Sequence, residues 1–373
     1  MKKILHLTHT DILSDSRILK EMESAYNNGY EVHGIGIKLN ETTKQMNSKN
    51  LHIKTLKLFS KKLSFFPDPI RHLLTFTEFF TKSVSASIKL KPEMIHCNDT
   101  LVLPIGVFIK FFTKSKLVYD AHELESNRNG LSKNLGKATL LVEKKLWKYV
   151  DGLIVVSPSI QKWYIDNIGY KKSTIVLNSP VFESLPNVKS TYLRDKFSIP
   201  KDDKIFIYIG ILGTGRGIDL ILESFKNVDN AHVVFLGYGD YFKKLAELEK
   251  LHSNIHLHDA VEHHKVVEIA SSADVGLCLI ENVSLSDYYC LPNKLFEYIF
   301  GGLPVLASNF PDISYVVEKY SLGVCVDLDT QSIKEGIDSF ASESSSFDIE
   351  QHNLSDLSWQ KQESNLISLY KVL

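Results

Sequence analysis

Short apolar runs alternate with amphipathic stretches along nearly the whole chain. In the first half, the runs that predict buried strands cover residues 3–8, 31–37, 52–58, 94–97, 117–120, 152–156 and 174–177. Between them, apolar residues recur at helical spacing in 14–28, 69–90, 101–112, 132–149 and 158–168. Strands that alternate with helices in this way are typical of βαβ units, whose strands are parallel. The first half therefore predicts a doubly wound α/β domain.

The same alternation starts again in the second half. Strands are predicted at 205–209, 232–236, 255–258, 275–279, 305–307 and 324–326. A looser segment separates the two halves, and a last amphipathic helix begins near residue 357. We therefore predict an N-terminal domain (1–180), a linker (181–201), a C-terminal domain (202–355) and a C-terminal helix (356–373). The length of 373 residues agrees, since one hydrophobic core rarely serves so long a chain.

Charge and cysteine content exclude several classes of protein. The net charge is −1, so the molecule as a whole has no attraction for nucleic acid. The four cysteines lie far apart and form no C-x-x-C pair, which argues against a disulfide framework and indicates a reducing compartment. The histidines at 256, 258, 263 and 264 match no standard zinc signature, so we predict no metal site.

The apolar runs are short. The longest, 101–112, is interrupted by Lys110 and falls below the roughly 20 residues that a membrane-spanning helix needs. The apolar run at the start of the chain is too short for a signal peptide. We therefore expect a cytoplasmic protein.

A loop that opens a short helix carries the most informative residues. Pro292 and Asn293 begin the helix, Lys294 lies in its first turn, and Glu297 follows one turn later. The free N–H groups of a helix start bind anions, and Lys294 adds positive charge beside them. Glu297 can accept two hydrogen bonds from a vicinal diol such as a ribose. Together they suit a nucleoside diphosphate, although a surface ion pair between Lys294 and Glu297 is the alternative.

A glycine-rich segment follows the first predicted strand of the second half. Residues 210–217 hold four glycines, among them Gly213 and Gly215, and Arg216. Glycines let a backbone approach a ligand closely, and the guanidinium suits phosphate oxygens. The spacing is neither G-x-G-x-x-G nor a Walker A loop. The alternative is a strand-to-helix turn in which the glycines serve only the bend.

Polar residues also end several strands of the first half, where a doubly wound sheet presents its ligand-binding side chains. His122 can donate a hydrogen bond to a sugar hydroxyl or help move a proton. Asp99 can bind an acceptor hydroxyl, and it is equally a good N-cap for the helix that follows. Thr10 and Asp11 end the first strand and are candidates for the same acceptor site.

The segment Pro292-Asn293-Lys294-x-x-Glu297-Tyr298 strongly resembles the sugar-nucleotide helix of retaining glycosyltransferases of the GT-B fold, family 4 type. The resemblance covers nearly the whole chain. It implies two Rossmann-like domains that face a cleft, with the last helix crossing back to the first domain. The catalytic residues implied are His122, Arg216 and Lys294, with His122 on the donor sugar and the two cations on the phosphates. The nucleotide-binding residues implied are Gly213, Gly215, Arg216, Val261, Asn293, Lys294, Leu295 and Glu297.

One position departs from the family pattern. Eight residues before Glu297 the family usually carries a second glutamate that holds donor-sugar hydroxyls, and this chain has Tyr289. Asp287, two residues earlier, can take its place if the loop shifts. The resemblance therefore leaves the donor sugar open.

Two basic, aromatic segments are left over. Residues 54–91 hold seven lysines and one arginine against two acids, with six interleaved phenylalanines, and 105–116 holds three lysines and no acid. Such segments either lie on an anionic membrane surface or are helices packed by their phenylalanines. The sequence leaves both open, so the inner face of the membrane is a candidate location.

These features together predict a retaining, metal-independent glycosyltransferase. It would move a sugar from a UDP- or GDP-type donor, its co-substrate, to a glycan or lipid-linked saccharide in cell-surface polysaccharide synthesis, with no cofactor. Two alternatives remain. One is a sugar-nucleotide epimerase of the same fold, and the other is a non-catalytic subunit that binds a sugar nucleotide.

Overall fold

The computed structural model describes residues 1–38, 50–182, 184–185, 189–226, 228–341, 347 and 351–373. Four residues of the predicted linker, 183 and 186–188, lie outside the described residues. The chain forms two compact units. Unit 1 is Met1–Val176 with Gln362–Leu373, and unit 2 is Leu177–Lys361. The break at 176/177 falls four residues before the predicted boundary at 180.

Unit 1 is built on a seven-stranded sheet in which every neighbouring pair is parallel. Its strands are β1 (Lys3–Leu7), β2 (Glu31–Ile37), β3 (His52–Leu56), β4 (Met94–Asn98), β5 (Lys116–Ala121), β6 (Gly152–Val155) and β7 (Lys172–Ile175). Their order is β3-β2-β1-β4-β5-β6-β7. The order reverses between β1 and β4, and ligands bind at such a reversal in open α/β sheets.

Helices connect these strands. They are α1 (Ser16–Asn27), α2 (Asp68–Leu90), α3 (Leu103–Thr113), α4 (Lys133–Leu146) and α5 (Pro158–Asn167). The side chain of Asp15 caps α1 by accepting hydrogen bonds from the backbone N–H groups of Arg17 and Ile18. A proline in its first turn helps to start α2, since its fixed φ suits that position.

Unit 2 repeats the plan with six parallel strands in the order β10-β9-β8-β11-β12-β13. The strands are β8 (Lys204–Ile211), β9 (Ala231–Tyr238), β10 (Ile255–Asp259), β11 (Val275–Cys278), β12 (Val305–Ser308) and β13 (Gly323–Val326). Here the order reverses between β8 and β11. The loop that follows β8 and the segment that follows β11 are therefore expected to meet at the ligand-binding edge.

The helices of unit 2 include two short ones that the sequence did not predict. Within the described part of unit 2, the helices before the last one are α6 (Tyr192–Phe197), α7 (Ile218–Ser224), α8 (Phe242–Glu249), α9 (His263–Ala270), α10 (Leu285–Tyr288), α11 (Asn293–Phe300), α12 (Pro311–Lys319) and α13 (Thr330–Ala341). The first, α6, lies inside the segment predicted as a linker, and α10 precedes α11. Both are too short for helical periodicity to stand out.

The last helix, α14 (Trp359–Val372), belongs to unit 1 from residue 362 onward. Its Glu363 accepts a hydrogen bond from the Ser24 hydroxyl of α1 at 2.8 Å, and its Asn365 donates to the carbonyl of Ile175 at 3.2 Å. The Tyr370 hydroxyl lies 2.5 Å from His96 Nδ1 in the core. Among the described residues, no helix is long and apolar enough to cross a membrane.

Candidate functional site

The glycine loop after β8 is fixed against the end of β11. Gly215 and Gly217 have φ values of 78° and 73°, the left-handed region that glycine tolerates best. A Cβ on Gly217 would lie 2.4 Å from the carbonyl oxygen of Leu279, so any larger residue would push the two segments apart. Around Gly213, a Cβ would meet only one side-chain carbon, at 4.0 Å. The loop is therefore held tightly at one end and open at the other.

Glu281 braces this loop, and the sequence analysis missed it. Its carboxylate accepts a hydrogen bond from the backbone N–H of Gly217 at 3.0 Å, and its own N–H donates to the carbonyl of Gly215 at 3.4 Å. An acidic residue that follows a buried strand opposite a glycine loop is the signal that could have found it. Arg216 is half-buried between these two glycines, and no ion pair involves it within the described chain.

Lys294 points into the same edge of unit 2. Its ammonium lies 3.9 Å from the centroid of the Tyr208 ring, in a cation–π contact. The ammonium nitrogen is buried and has no hydrogen-bond partner among the described residues. A buried ammonium without hydrogen bonds is unfavourable, so an acceptor supplied by a ligand would stabilise it.

Lys294 and Arg216 both influence the pKa of the Cys290 thiol. Burial raises the pKa of Cys290, and the nearby acids Cys278 and Asp287 raise it further. The positive charges of Lys294 and Arg216 act in the opposite direction and lower it. Both cations therefore lie close enough to Cys290 to act on one thiol, which brings the glycine loop and α11 to the same part of unit 2.

The helix α11 is anchored by Tyr298. The Tyr298 hydroxyl accepts a hydrogen bond from the backbone N–H of Ile209 at 2.8 Å and donates to the carbonyl of Leu277 at 3.2 Å. This ties the helix to β8 and β11 at once. A Cβ on Gly276 would lie 2.2 Å from the Tyr298 ring, so the helix packs directly on the sheet.

The remaining predicted nucleotide residues differ in what they present. Asn293 is exposed, Glu297 is buried, and Leu295 is fully buried in the core. The N–H of Leu295 already bonds to the carbonyl of Pro292 at 3.0 Å. Val261 lies half-buried in the loop that follows β10.

Asp287, the suggested substitute for the missing glutamate, has a local partner. Its carboxylate accepts a hydrogen bond from the Ser284 hydroxyl at 2.7 Å, and that hydroxyl accepts one from the Asp287 N–H. This reciprocal cap starts α10. The side chain of Asp287 therefore fixes the loop before Tyr289.

In unit 1, His122 lies between two carboxylates. Its Nε2 is 3.2 Å from Asp120, and its Nδ1 is 3.6 Å from Asp99. Burial by itself would lower the pKa of His122, but the charges of Asp120 and Asp99 and the hydrogen bond to Asp120 raise it to about 10. At neutral pH the ring is therefore an imidazolium, which donates hydrogen bonds and has no free base nitrogen. Of the two roles predicted for His122, this protonation state favours hydrogen-bond donation.

Asp120 is the centre of a buried polar network that sequence reasoning did not find. Its carboxylate pairs with the Arg17 guanidinium at 3.1 Å and with His96 Nε2 at 3.2 Å, besides His122. Arg17 Nε also lies 3.1 Å from Glu21. Burial by itself would raise the pKa of Asp120. The charges of Arg17 and His122 outweigh burial and hold this pKa well below its usual value, so the carboxylate is ionised. A histidine at a strand end, preceded by an aspartate two residues earlier, is the only sequence signal of this arrangement.

Asp99 adopts an unusual backbone conformation. Its φ is 72° and its ψ is 161°, a region that is essentially restricted to glycine. It makes no side-chain capping bond to the following helix, so the N-cap alternative is not supported. Its carboxylate instead lies 3.8 Å from His9 Nδ1 and 3.6 Å from His122 Nδ1. Such strain is typical of functional positions.

Thr10 and Asp11 are less available than predicted. The Thr10 hydroxyl lies 2.7 Å from that of Thr8. Asp11 is buried, and its carboxylate accepts a hydrogen bond from the N–H of Leu13 at 3.2 Å. Both residues shape the loop after β1. The structure groups His122 and Asp99 and leaves Asp11 within the loop.

Two groups among the described residues have spacings that could hold a metal ion. In each, the ligand atoms lie within 4.8 Å of one another: His6, Glu21 and His96 in the core, and Glu31, His33 and His52 nearer the surface. In the core group, the Arg17 guanidinium lies next to Glu21, and its positive charge would repel a metal ion. His33 and His52 face each other across β2 and β3.

Two doubly wound parallel sheets, each with polar loops at the carboxyl ends of its strands, define an α/β protein of the GT-B class. A solved structure of Anabaena HepE, in complex with UDP-glucose, matches this chain with a TM-score of 0.73. The match covers 100% of both chains at 12% identity. The fold class predicted from the sequence is therefore confirmed.

Residues 190–356 match the family model described as glycosyl transferases group 1. Chitobiosyldiphosphodolichol beta-mannosyltransferase from Candida albicans is 24% identical over 63% of this chain, and the match spans 56% of that relative's length. The O-antigen biosynthesis glycosyltransferase WclY from Escherichia coli is 25% identical over 59% of this chain, and the match spans 62% of its length. The resemblance is confirmed at the level of group 1, and the retaining, family 4 detail stays a prediction.

Proposed function

We propose that this protein is a retaining, metal-independent glycosyltransferase that uses a nucleoside diphosphate sugar of UDP or GDP type. The observation that carries the proposal is the pair of cations in unit 2. Lys294 is buried without a hydrogen-bond partner among the described residues, Arg216 is outside any ion pair there, and both act on the Cys290 thiol. A diphosphate between them would satisfy both.

The chemistry follows from where charge develops. When the bond between the sugar C1 and the β-phosphate oxygen breaks, negative charge accumulates on the departing diphosphate. Arg216, Lys294 and the N-terminus of α11 would stabilise that charge electrostatically. Glu297 would accept hydrogen bonds from the ribose hydroxyls, and Val261 would contact the base through its backbone.

Retention of configuration is part of the proposal because of the Pro292–Tyr298 motif. In same-face attack, the acceptor oxygen forms its bond to C1 on the side that the diphosphate leaves. The acceptor proton passes to the departing phosphate oxygen, so no side chain has to act as a nucleophile. This agrees with His122 as an imidazolium, since its pKa of about 10 makes it a poor base at neutral pH. His122 would then orient the donor sugar and hold Asp99 for the acceptor.

The acceptor is proposed to be a saccharide or a lipid-linked saccharide. The names of the two curated relatives support this, since one indicates a diphosphodolichol-linked acceptor and the other O-antigen synthesis. We place the protein in the cytoplasm at the inner face of the membrane, in the synthesis of a surface polysaccharide. Neither the family nor these relatives favour an epimerase or a non-catalytic subunit.

Unit 1 carries features that support membrane contact through 54–91 and 105–116. Phe65, Leu73, Phe111 and Phe112 are 62–73% exposed, which is high for large apolar side chains. A cavity of about 580 Å³ beside β3 and α2 is lined by four lysines: Lys54, Lys57, Lys82 and Lys89. Exposed aromatic groups beside lysines suit an anionic bilayer. Co-sedimentation with vesicles should rise with the anionic lipid fraction and fall with salt, and equal binding to neutral vesicles would contradict this.

Nucleotide binding tests the donor site directly. Thermal unfolding is measured with UDP, GDP, ADP and CMP, and a nucleotide present at a hundred times its Kd should stabilise the protein by about 2.7 kcal/mol. The double variant Arg216→Ala/Lys294→Ala should lose this stabilisation. Lys243→Ala/Lys250→Ala, in which two exposed lysines of the same unit are removed, should keep it. A full response in the Arg216/Lys294 variant would show that the phosphates bind elsewhere.

The stereochemical part needs its own measurement. Once a donor is identified by binding, the product's anomeric signals in proton NMR report the configuration. A retained configuration supports same-face attack. An inverted product would refute the retaining mechanism and leave the donor site intact.

A further inference from the structure

Unit 1 contains a cavity of about 510 Å³ that Asp99 helps to line, and the rest of its lining has no part in the chemistry described above. Its volume is in the range of small-molecule sites. The wall is apolar and comes from α2, α3, α4 and the turn before α3, through Phe76, Leu101, Pro104, Leu135 and Val142. The rim is polar and carries His9, Asp99, Glu125 and Arg128. An apolar wall with a few polar groups at one end suits an amphiphilic ligand.

A row of aromatic rings extends this wall toward the surface. Phe76 lies 6.3 Å from Phe80, Phe80 lies 5.1 Å from Phe108, and Phe108 lies 5.1 Å from Phe112, measured between ring centroids. Phe112 is 62% exposed. The apolar surface is therefore a track that runs from the exposed face of α3 to the cavity. A track of this length suits a hydrocarbon chain better than a compact apolar group.

The rim favours an anion. Burial raises the pKa of Glu125, and the charge of Asp99 raises it further. Arg128 has Glu125 as its only ion-pair partner in the described chain, at the long distance of 3.9 Å, and its side chain is 43% exposed, so the guanidinium is accessible to an anion. The charge of Asp99 is offset by His122, which lies 3.6 Å away. Arg128 therefore places a positive charge on the rim, where the apolar track ends.

We propose that this cavity binds the carrier part of the acceptor, a hydrocarbon chain joined to a phosphate, with the chain along the phenylalanine track and the phosphate at Arg128. The group attached to that phosphate would then lie at Asp99. The proposal rests on the proposed function only in naming this molecule the acceptor. Binding of the amphiphile requires neither a sugar nucleotide nor transfer.

The test is binding of octyl phosphate, below its micelle concentration, measured by calorimetry on the full chain. Hexyl, octyl and decyl phosphate should bind progressively more tightly, by about two- to fourfold in Kd for each methylene that becomes buried. Octanol and inorganic phosphate should each bind at least tenfold more weakly than octyl phosphate. No saturable binding of octyl phosphate, or equal binding of octanol, would overturn the proposal.

Matched variants locate the site. Leu135→Asp places a charge on the cavity wall and should weaken octyl phosphate binding by tenfold or more. Leu141→Asp, on the same helix and similarly exposed but outside the cavity, should leave it unchanged. Arg128→Gln should weaken octyl phosphate by roughly tenfold or more and leave octanol unaffected, because a charge-assisted hydrogen bond is lost. Equal effects of Leu135→Asp and Leu141→Asp would place the ligand elsewhere.

Failure here is distinguishable from failure of the proposed function. UDP stabilisation depends on Arg216 and Lys294 in unit 2, whereas octyl phosphate binding depends on unit 1 alone. A protein that binds UDP and not octyl phosphate keeps its proposed activity and loses this carrier subsite. A protein that binds octyl phosphate and no nucleotide keeps the amphiphile site and loses its assignment as the acceptor site.

Discussion

Replacing Asp120 by asparagine tests the buried polar network of unit 1. The substitution keeps the size of the side chain and removes the charge that faces Arg17, His96 and His122. The structure attributes the raised pKa of His122 chiefly to Asp120, with Asp99 second. Without the Asp120 charge, burial and Arg17 both lower the pKa of His122. We expect it to fall clearly from its value of about 10.

The free energy involved is large. A shift from the usual value near 6.5 to about 10 favours the imidazolium in the folded state by about 5 kcal/mol at most, because one pKa unit is 1.36 kcal/mol. The folded pKa is above the unfolded one, so this stabilisation is fully present below about pH 6.5. It is lost as pH rises toward 10. The variant should also lose about 3–5 kcal/mol at neutral pH, because the buried Arg17 guanidinium loses its ion pair with Asp120 and keeps its contacts with Glu21 and the carbonyl of Val176.

Two measurements follow the change. NMR of histidine-labelled protein, with His122 assigned from a His122→Gln variant, gives its pKa. Urea unfolding from pH 6 to 10 gives the stability. Asp151→Asn is the matched control, because Asp151 pairs with Lys110 elsewhere in unit 1 and should leave the His122 pKa unchanged.

Either of two results would refute this reasoning. One is a His122 pKa near 10 in Asp120→Asn, which would mean that the carboxylate does not set it. The other is a wild-type His122 that titrates near 6.5, a measurement that stands even if the variant does not fold.

Three further predictions concern stability and ligand response. Gly217→Ala should destabilise the protein and abolish the UDP response, since a Cβ would meet a carbonyl oxygen at 2.4 Å. Gly130 has a similar φ in open space, so Gly130→Ala shows the effect of φ alone. Equal losses of stability in the two variants would contradict the contact argument. Tyr370→Phe should lower the free energy of unfolding by about 1–3 kcal/mol, because the buried Nδ1 of His96 loses its hydrogen bond to the Tyr370 hydroxyl. An unchanged urea midpoint would argue against this hydrogen bond. Lys294→Met should leave the apo protein within about 1 kcal/mol of wild type or stabilise it, while the UDP response disappears; a loss above about 2 kcal/mol would show that the ammonium supports the fold.

Much of the fold could be predicted because its signals are local. Buried parallel strands leave apolar runs such as 205–209, and the helices that cover them leave amphipathic periodicity. The helix α11 was also visible, since Pro292 and the apolar residues after Lys294 mark its start and its buried face. The short helices α6 and α10 were missed because fewer than two turns give no readable period.

The polar network in unit 1 could not be predicted for a different reason. Arg17 and Asp120 are 103 residues apart, and Tyr370 lies 274 residues beyond His96. Nothing in the local sequence of any of these residues indicates its partner. The conformation of Asp99 was equally hidden, because an aspartate before a helix normally suggests a cap. Long-range pairing and backbone strain are properties of the folded chain, so a single sequence carries them only implicitly.

The two units differ in whether a buried charged group has partners within the protein, and this difference bears on function. In unit 1, Asp120 is surrounded by Arg17, His96 and His122, so its charge is compensated within the protein and a ligand gains little by approaching it. In unit 2, the Lys294 ammonium is buried against an aromatic ring with no hydrogen-bond partner in the described chain. A compensated network rigidifies what it holds, here the imidazole beside Asp99. A cation without such partners can instead gain free energy by binding an anion. In the proposed activity, this gain would be greatest as negative charge develops on the anion during bond cleavage.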